Sequence, residues 1–176
     1  MKFLTYLGDV VDLDDIANIP IKLEAIVHTM VKTCRFNGAT RWHYSNLQHC
    51  FNVSCICKEQ ELKLACLLHD VHEHLIGDII TPVSRHFPEW KVQMDSLKHS
   101  IDVRIAAFFG CPELVDPAVG KIIKSYDTEM TSIEAYTLLR NPEKVFAPPT
   151  IRDYEIIKVK NTVMRRKFKE RLRRLI

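Results

Sequence analysis

Apolar residues recur at intervals of three and four along most of this chain and almost nowhere in strict alternation. Leu23, Ile26, Val27 and Met30 keep that spacing, and so do Val119, Ile122, Ile123, Tyr126, Met130 and Ile133. A period near 3.6 places such residues on one stripe of an α-helix, whereas a half-buried strand needs a period of two. With only 5 Gly and 8 Pro in 176 residues, little interrupts those stripes. The sequence therefore predicts an all-α fold, a single helical bundle with at most a short strand near residues 3 to 7.

Helix signals divide the chain further. Asn18-Ile19-Pro20 reads as a start for a helix running towards Cys34 and closed by Asn37-Gly38. Ser45 or Asn46 can cap a second helix through Cys55, and a third is expected from about Glu59 to Leu75, with Gly77 ending it. Gly77, Thr81, Pro82 and Pro88 make residues 77 to 88 a predicted loop. A fourth helix follows from Pro88 towards Gly110, and a fifth runs through Leu138 to the break at Asn141-Pro142. In the tail, Met164, Phe168, Leu172 and Leu175 repeat at about four on an otherwise basic helix.

At 47% hydrophobic and 27% charged, the composition excludes disordered and fibrous classes. A chain of this size buries roughly 70% of the surface it would expose unfolded and needs no disulfide or structural metal for its core. No apolar run approaches a membrane span, and Met1 to Asp9 is too short and polar for a signal peptide. The expected setting is the cytoplasm, or the host cytoplasm for a phage-encoded chain. Cys34, Cys50, Cys55, Cys57, Cys66 and Cys111 show no metal-knuckle spacing and read as buried thiols. The domain reading is a core over 1–150 and, over 151–176, a basic amphipathic helix packed on the same domain. From Lys158 onwards nine Lys or Arg meet one Glu, so the residues before it are net acidic although the whole chain carries +3.

Chemistry concentrates in His69-Asp70-Val71-His72-Glu73-His74, which follows the apolar run Leu64 to Leu68. Burying such groups bare costs several kcal/mol, roughly, so they need hydrogen bonds, charge partners or a metal ion. On a helix Glu73 lies one turn beyond His69 and Asp70, and His49 with Asp127 can complete a nitrogen and oxygen donor set. The alternative for the same cluster is a solvated charged helix face. His72 and His74 are expected to point away as surface or phosphate contacts, and His28 and His99 to be core or boundary histidines.

The ordered motifs resemble the HD-domain metal-dependent phosphohydrolases from about Asp14 to Leu139. Cys34-Arg35-Phe36-Asn37-Gly38 is similar to that family's early Arg-aromatic segment, and Tyr44-Ser45-Asn46-Leu47-Gln48-His49 to its first metal histidine. Leu68-His69-Asp70-Val71-His72-Glu73 resembles the signature, and Gly77-Asp78-Ile79-Ile80-Thr81-Pro82 the loop after it. Asp127, with Glu134 seven residues on, is similar to the closing aspartate segment. The likeness is strongest to small phage deoxynucleoside triphosphohydrolases, including those acting on dATP, and to bacterial 5′-deoxynucleotidases.

The resemblance implies that His49, His69, Asp70 and Asp127 hold one divalent ion, whether Mn, Co, Zn, Fe or Mg. It implies Glu73 as the catalytic residue acting on the attacking water, and Arg35 as the phosphate clamp. Phe36 is implied against the sugar, with Asp78 on the 3′-hydroxyl and Thr81 assisting. Ala39 and Ser84-Arg85 depart from common family positions, leaving Arg85, Arg41, His43, His86 or Lys91 to hold distal phosphates. The expected activity is cleavage of the α-phosphoryl to 5′-oxygen bond of a deoxynucleotide, dATP foremost, in a homo-oligomer. The alternatives are a 5′-deoxynucleotidase and a non-catalytic binding module. The tail lacks interleaved aromatics, which argues against a nucleic acid partner, and no membrane partner is expected.

Overall fold

The structure, a computed structural model, describes residues 1–176. It is mostly α-helical, with one small antiparallel ribbon in which β1 (Lys2–Leu4) pairs with β2 (Val10–Asp12). The strand anticipated over residues 3 to 7 stops at Leu4. There the Thr5 hydroxyl accepts the Leu7 and Asp9 N–H groups and turns the chain back through Gly8, whose φ of 82° suits glycine.

Helix α1 (Leu23–Met30) is shorter at both ends than its sequence signals suggest. Residues Ile16–Asn18 form a separate 3₁₀ turn, and Lys22 is extended. Past Met30, the Thr29 carbonyl accepts from both Lys32 and Thr33, closing the helix early. Cys34 then bridges to Ser45, and the Arg35 N–H donates to the Tyr44 carbonyl at 3.0 Å, so Arg35 sits on a loop held against the next helix. That loop turns through three left-handed residues, Phe36 (φ 53°), Asn37 (φ 50°) and Gly38 (φ 76°).

Helix α2 (Asn46–Ile56) is capped by Ser45, whose hydroxyl accepts the Gln48 N–H at 3.2 Å. It is the central helix, contacting α3 (Lys63–Leu68), α7 (Pro117–Leu138) and α8 (Asn161–Leu175). Its buried residues include Asn46, Gln48, His49, Asn52 and Ser54, and each polar group there needs a partner inside the protein.

The single helix expected from Glu59 to Leu75 is three pieces: a 3₁₀ turn at Gln60–Leu62, α3, and the short α4 (Glu73–Ile76). Between α3 and α4 the bonds Val71→Leu68, Glu73→Asp70, His74→Val71 and Leu75→His72 all span three residues. This tighter pitch eclipses side chains three apart and carries Asp70 and Glu73 to one side. The predicted loop over 77 to 88 contains a further helix, α5 (Thr81–His86), which Pro82 initiates. Helix α6 (Pro88–Phe109) ends at left-handed Gly110, and α7 begins under Asp116, which accepts the Ala118 and Val119 N–H groups.

Met164, Phe168 and Leu172 of α8 are buried against the bundle, while Arg171 donates to the Ser54 hydroxyl and carbonyl and Lys169 pairs with Glu24. All six cysteines are free thiols; Cys50, Cys57, Cys66 and Cys111 are buried, whereas Cys34 and Cys55 are only half-buried. His28 is half-buried and stacks on Tyr6, but His99 is exposed on α6, away from the core side of that helix. No helix is long and apolar enough to cross a membrane.

Candidate metal centre

Four side chains from three elements converge. His49 comes from the first turns of α2, His69 and Asp70 from the tight turn after α3, and Asp127 from the middle of α7. Their ligand atoms all lie within 4.8 Å of one another. His49 Nε2 is 3.1 Å from Asp127 Oδ1 and 3.6 Å from Asp70 Oδ2. His69 Nε2 is 3.2 Å from Asp70 Oδ2 and 3.9 Å from Asp127 Oδ1, and the two Nε2 atoms are 3.3 Å apart. Donors about 2.1 Å from a common ion stand about 3.0 to 3.4 Å from one another in octahedral or tetrahedral arrangements, so the spacing fits a cation.

The tautomers fit as well. His49 Nδ1–H donates to Glu134 Oε1 at 2.7 Å, and His69 Nδ1–H donates to the Cys66 carbonyl at 2.9 Å. Each proton is thereby held on the far nitrogen, and both Nε2 lone pairs face the two carboxylates. Four electron-rich donors around one point repel unless a proton or cation lies between them. Burial disfavours the charged imidazoles, yet Asp70 pulls His69 well above the ordinary histidine range, and Glu134 and Asp127 raise His49. Burial opposes ionisation of Asp127 and Asp70 too, but both histidines hold Asp127 well below the carboxylate range, and His69 does the same for Asp70. The site is built to attract positive charge.

Glu73 lies beside this group and is nearly buried. Burial, reinforced by Asp70 and Asp78, pushes its carboxyl well above the ordinary range. Asn46 Nδ2 donates to Glu73 Oε2, fixing one oxygen and leaving the other. Arg35 lies on the opposite flank: Nη1 is 3.7 Å from Asp70 Oδ2, Nε is 3.6 Å from Glu134 Oε2, and Nη2 donates to Thr131 at 3.2 Å. Burial works against its charge, but Glu134 and Asp70 outweigh it and keep the guanidinium protonated.

The remaining sequence-nominated residues spread outwards. Phe36 packs edge-on against Phe146 with centroids 5.9 Å apart. Asp78 is half-buried, its carboxyl raised by burial and then lowered in part by Arg35. Thr81 is exposed at the start of α5 and makes no side-chain bond to the cluster. Arg85 and His86 are exposed on α5, His43 is tied to the Val31 carbonyl, and Lys91 pairs with Asp95.

His72 and His74 do not point outwards. Both are buried, because the tight turn after α3 rotates them inward; His72 Nδ1 is 3.0 Å from Asp102 Oδ1, and His74 Nδ1–H donates to the Val71 carbonyl. Asp70, His72 and Glu73 also bring ligand atoms within 4.8 Å of one another. The sequence reading gave no role at the site to Asn46, Thr131 or Asp102. A signal existed for one of them: Asp127, Thr131 and Glu134 stand at i, i+4 and i+7 on one helix face.

No family model matches the chain. It is similar to an uncharacterized protein of Rhodobacter capsulatus, 31% identical over 137 residues that cover 73% of this chain and 68% of that protein. It is also similar to the uncharacterized protein YfdR of Escherichia coli K12, 29% identical over 138 residues covering 76% of this chain and 71% of that one.

Proposed function

The chain belongs to the family of the uncharacterized Rhodobacter capsulatus protein; from the geometry of its site and the motif resemblance we propose that it is a metal-dependent phosphohydrolase of the HD-domain type, acting on deoxynucleotides. One observation carries the reading. Two histidine Nε2 atoms, their tautomers fixed from behind, meet two carboxylates at cation-ligand spacing, with a third, proton-binding carboxyl, Glu73, alongside.

His49, His69, Asp70 and Asp127 would hold a divalent cation, which when bound would supply Lewis acidity for the phosphoryl group and for water. Glu73 takes the proton from the attacking water, with Asn46 Nδ2 holding one of its carboxyl oxygens. Arg35 presents a planar guanidinium to the phosphate oxygens, aligned by Asp70, Glu134 and Thr131. Asp78 accepts from the 3′-hydroxyl, assisted by Thr81, and the Phe36 ring packs against a sugar lacking the 2′-hydroxyl. Water adds to the α-phosphorus as the bond to the 5′-oxygen breaks, and the deoxynucleoside leaves carrying a proton. From dATP, the preferred substrate, the products are deoxyadenosine and triphosphate.

Product analysis tests this. Metal-free protein is incubated with each dNTP, dNMP and matching ribonucleotide, with and without Mn²⁺ or Co²⁺. Deoxyadenosine plus triphosphate from dATP is the expected result, whereas phosphate from several dNMPs would make the enzyme a 5′-deoxynucleotidase. No product with any metal would leave a binding module. Asp70→Ala should lose metal and turnover together, and Glu73→Ala should keep the metal while turnover falls by about 100-fold or more.

A further inference from the structure

We infer that Tyr44, Asn52 and Tyr154 are positioning residues of the metal centre, forming one hydrogen-bond chain that joins the segment before α8 to the His49 imidazole. The inference rests on the four-residue cluster being a cation site. Tyr154 Oη donates to Asn52 Oδ1 at 3.0 Å, Asn52 Nδ2 donates to Tyr44 Oη at 2.8 Å, and Tyr44 Oη donates to Glu134 Oε1 at 2.8 Å. The same Glu134 oxygen takes the proton of His49 Nδ1 at 2.7 Å.

Direction makes the chain more than a row of contacts. The Asn52 amide works only one way round, its oxygen towards Tyr154 and its nitrogen towards Tyr44. With the Tyr44 oxygen already accepting, its proton is free to go to Glu134. The same Glu134 oxygen then receives two donors, Tyr44 Oη–H and His49 Nδ1–H, which holds the imidazole proton on Nδ1 and turns Nε2 to the site. Bulk solvent does not reach the inner members of the chain, since Tyr44, His49 and Glu134 are 0% exposed and Asn52 is 5% exposed.

Helix α2 joins the two ends. Gln48 and Asn52, one turn apart on a single face, hold the C-terminal segment through the Ile157 carbonyl at 2.8 Å and through Tyr154. His49, between them in sequence, points to the cation site. Seating of residues 151–160 and cation binding are therefore coupled, and the coupling is reciprocal.

The test uses the full chain with Co²⁺ and Mn²⁺ alone. Dissociation constants come from chelator competition, the Co²⁺ absorption spectrum reports coordination, and limited proteolysis between Phe146 and Lys160 reports seating. Tyr44→Phe and Asn52→Ala should weaken Co²⁺ binding by about 10- to 100-fold and alter the spectrum. Tyr154→Phe, which removes one hydroxyl at the half-buried end and is expected to fold normally, should weaken it several-fold. Combined with Tyr44→Phe it should add little further. Mn²⁺ should slow cleavage of the wild-type segment and lose that effect in Asn52→Ala. Wild-type affinity and spectrum in Tyr154→Phe and in whichever of the other two variants folds would overturn the inference. A wild-type protein that binds neither ion would instead remove the metal centre, and this inference with it.

Discussion

Glu73 shows how far a single carboxyl depends on its neighbours. The burial that makes it a ready proton acceptor would also leave it unsatisfied, and the Asn46 amide supplies the missing donor. Asn46→Ala should leave Co²⁺ affinity near wild type and lower kcat by up to about 100-fold, because a displaced proton acceptor loses alignment before it loses charge; steady-state kinetics beside metal titration would check it. His74 is the clearer case for pH. Burial holds its imidazole down to about 4, against 6.5 for an ordinary histidine. Between those values the unfolded chain binds the extra proton, so this stability is fully present above about 6.5 and is lost as the pH falls towards 4. About 2 kcal/mol should disappear between roughly pH 7.5 and pH 5. Urea unfolding at both values should show a correspondingly smaller loss in His74→Gln; an equal loss would assign the effect to another group. The sequence carried the identity of the four ligand candidates but nothing about Asn46, which looked like a capping residue.

At the scale of elements, apolar spacing located α2, α7 and α8 well, Pro88 and Gly110 bounded α6, and the spacing failed where local hydrogen bonds outcompeted it. Residues 59 to 75 have the composition of one helix. The structure breaks it at His69 to His72, where bonds spanning three residues let His72 reach Asp102 and His69 reach Asp127 and His49 on other elements. Those partners lie 30 to 58 residues away or 20 residues back, beyond the reach of any periodicity rule. Thr81-Pro82 misled in the other direction, reading as a loop and starting a helix. The tail is governed by its stripe: Phe168, wholly buried, should cost about 3 to 5 kcal/mol as Phe168→Ala, measured by chemical denaturation, whereas exposed Arg173→Ala should change stability by less than about 0.5 kcal/mol.

Over the whole molecule, the central helix α2 ties ligand, core and C-terminal segment together, so a cation that binds only the folded state should stabilise all of it. At a free ion concentration about 100 times the dissociation constant the gain is about 2.7 kcal/mol. Added Mn²⁺ should raise the Tm of the wild type, chelation should reverse it, and Asp70→Ala should show no response; an unchanged wild-type Tm would count against the site. What the amino-acid sequence determined by itself is local in nature: the helical class, from a 3.6-residue apolar period with few breakers, and the cluster from His69 to His74, which packs nitrogen and oxygen donors into six consecutive residues. Only the tertiary structure decided which lone pairs converge, that Glu134 and Cys66 fix the two imidazoles from behind, and that His72 and His74 turn inward. Those outcomes depend on contacts between α2, the turn after α3, and α7, and contact across that distance is set by packing of the whole core, which no short window of sequence contains.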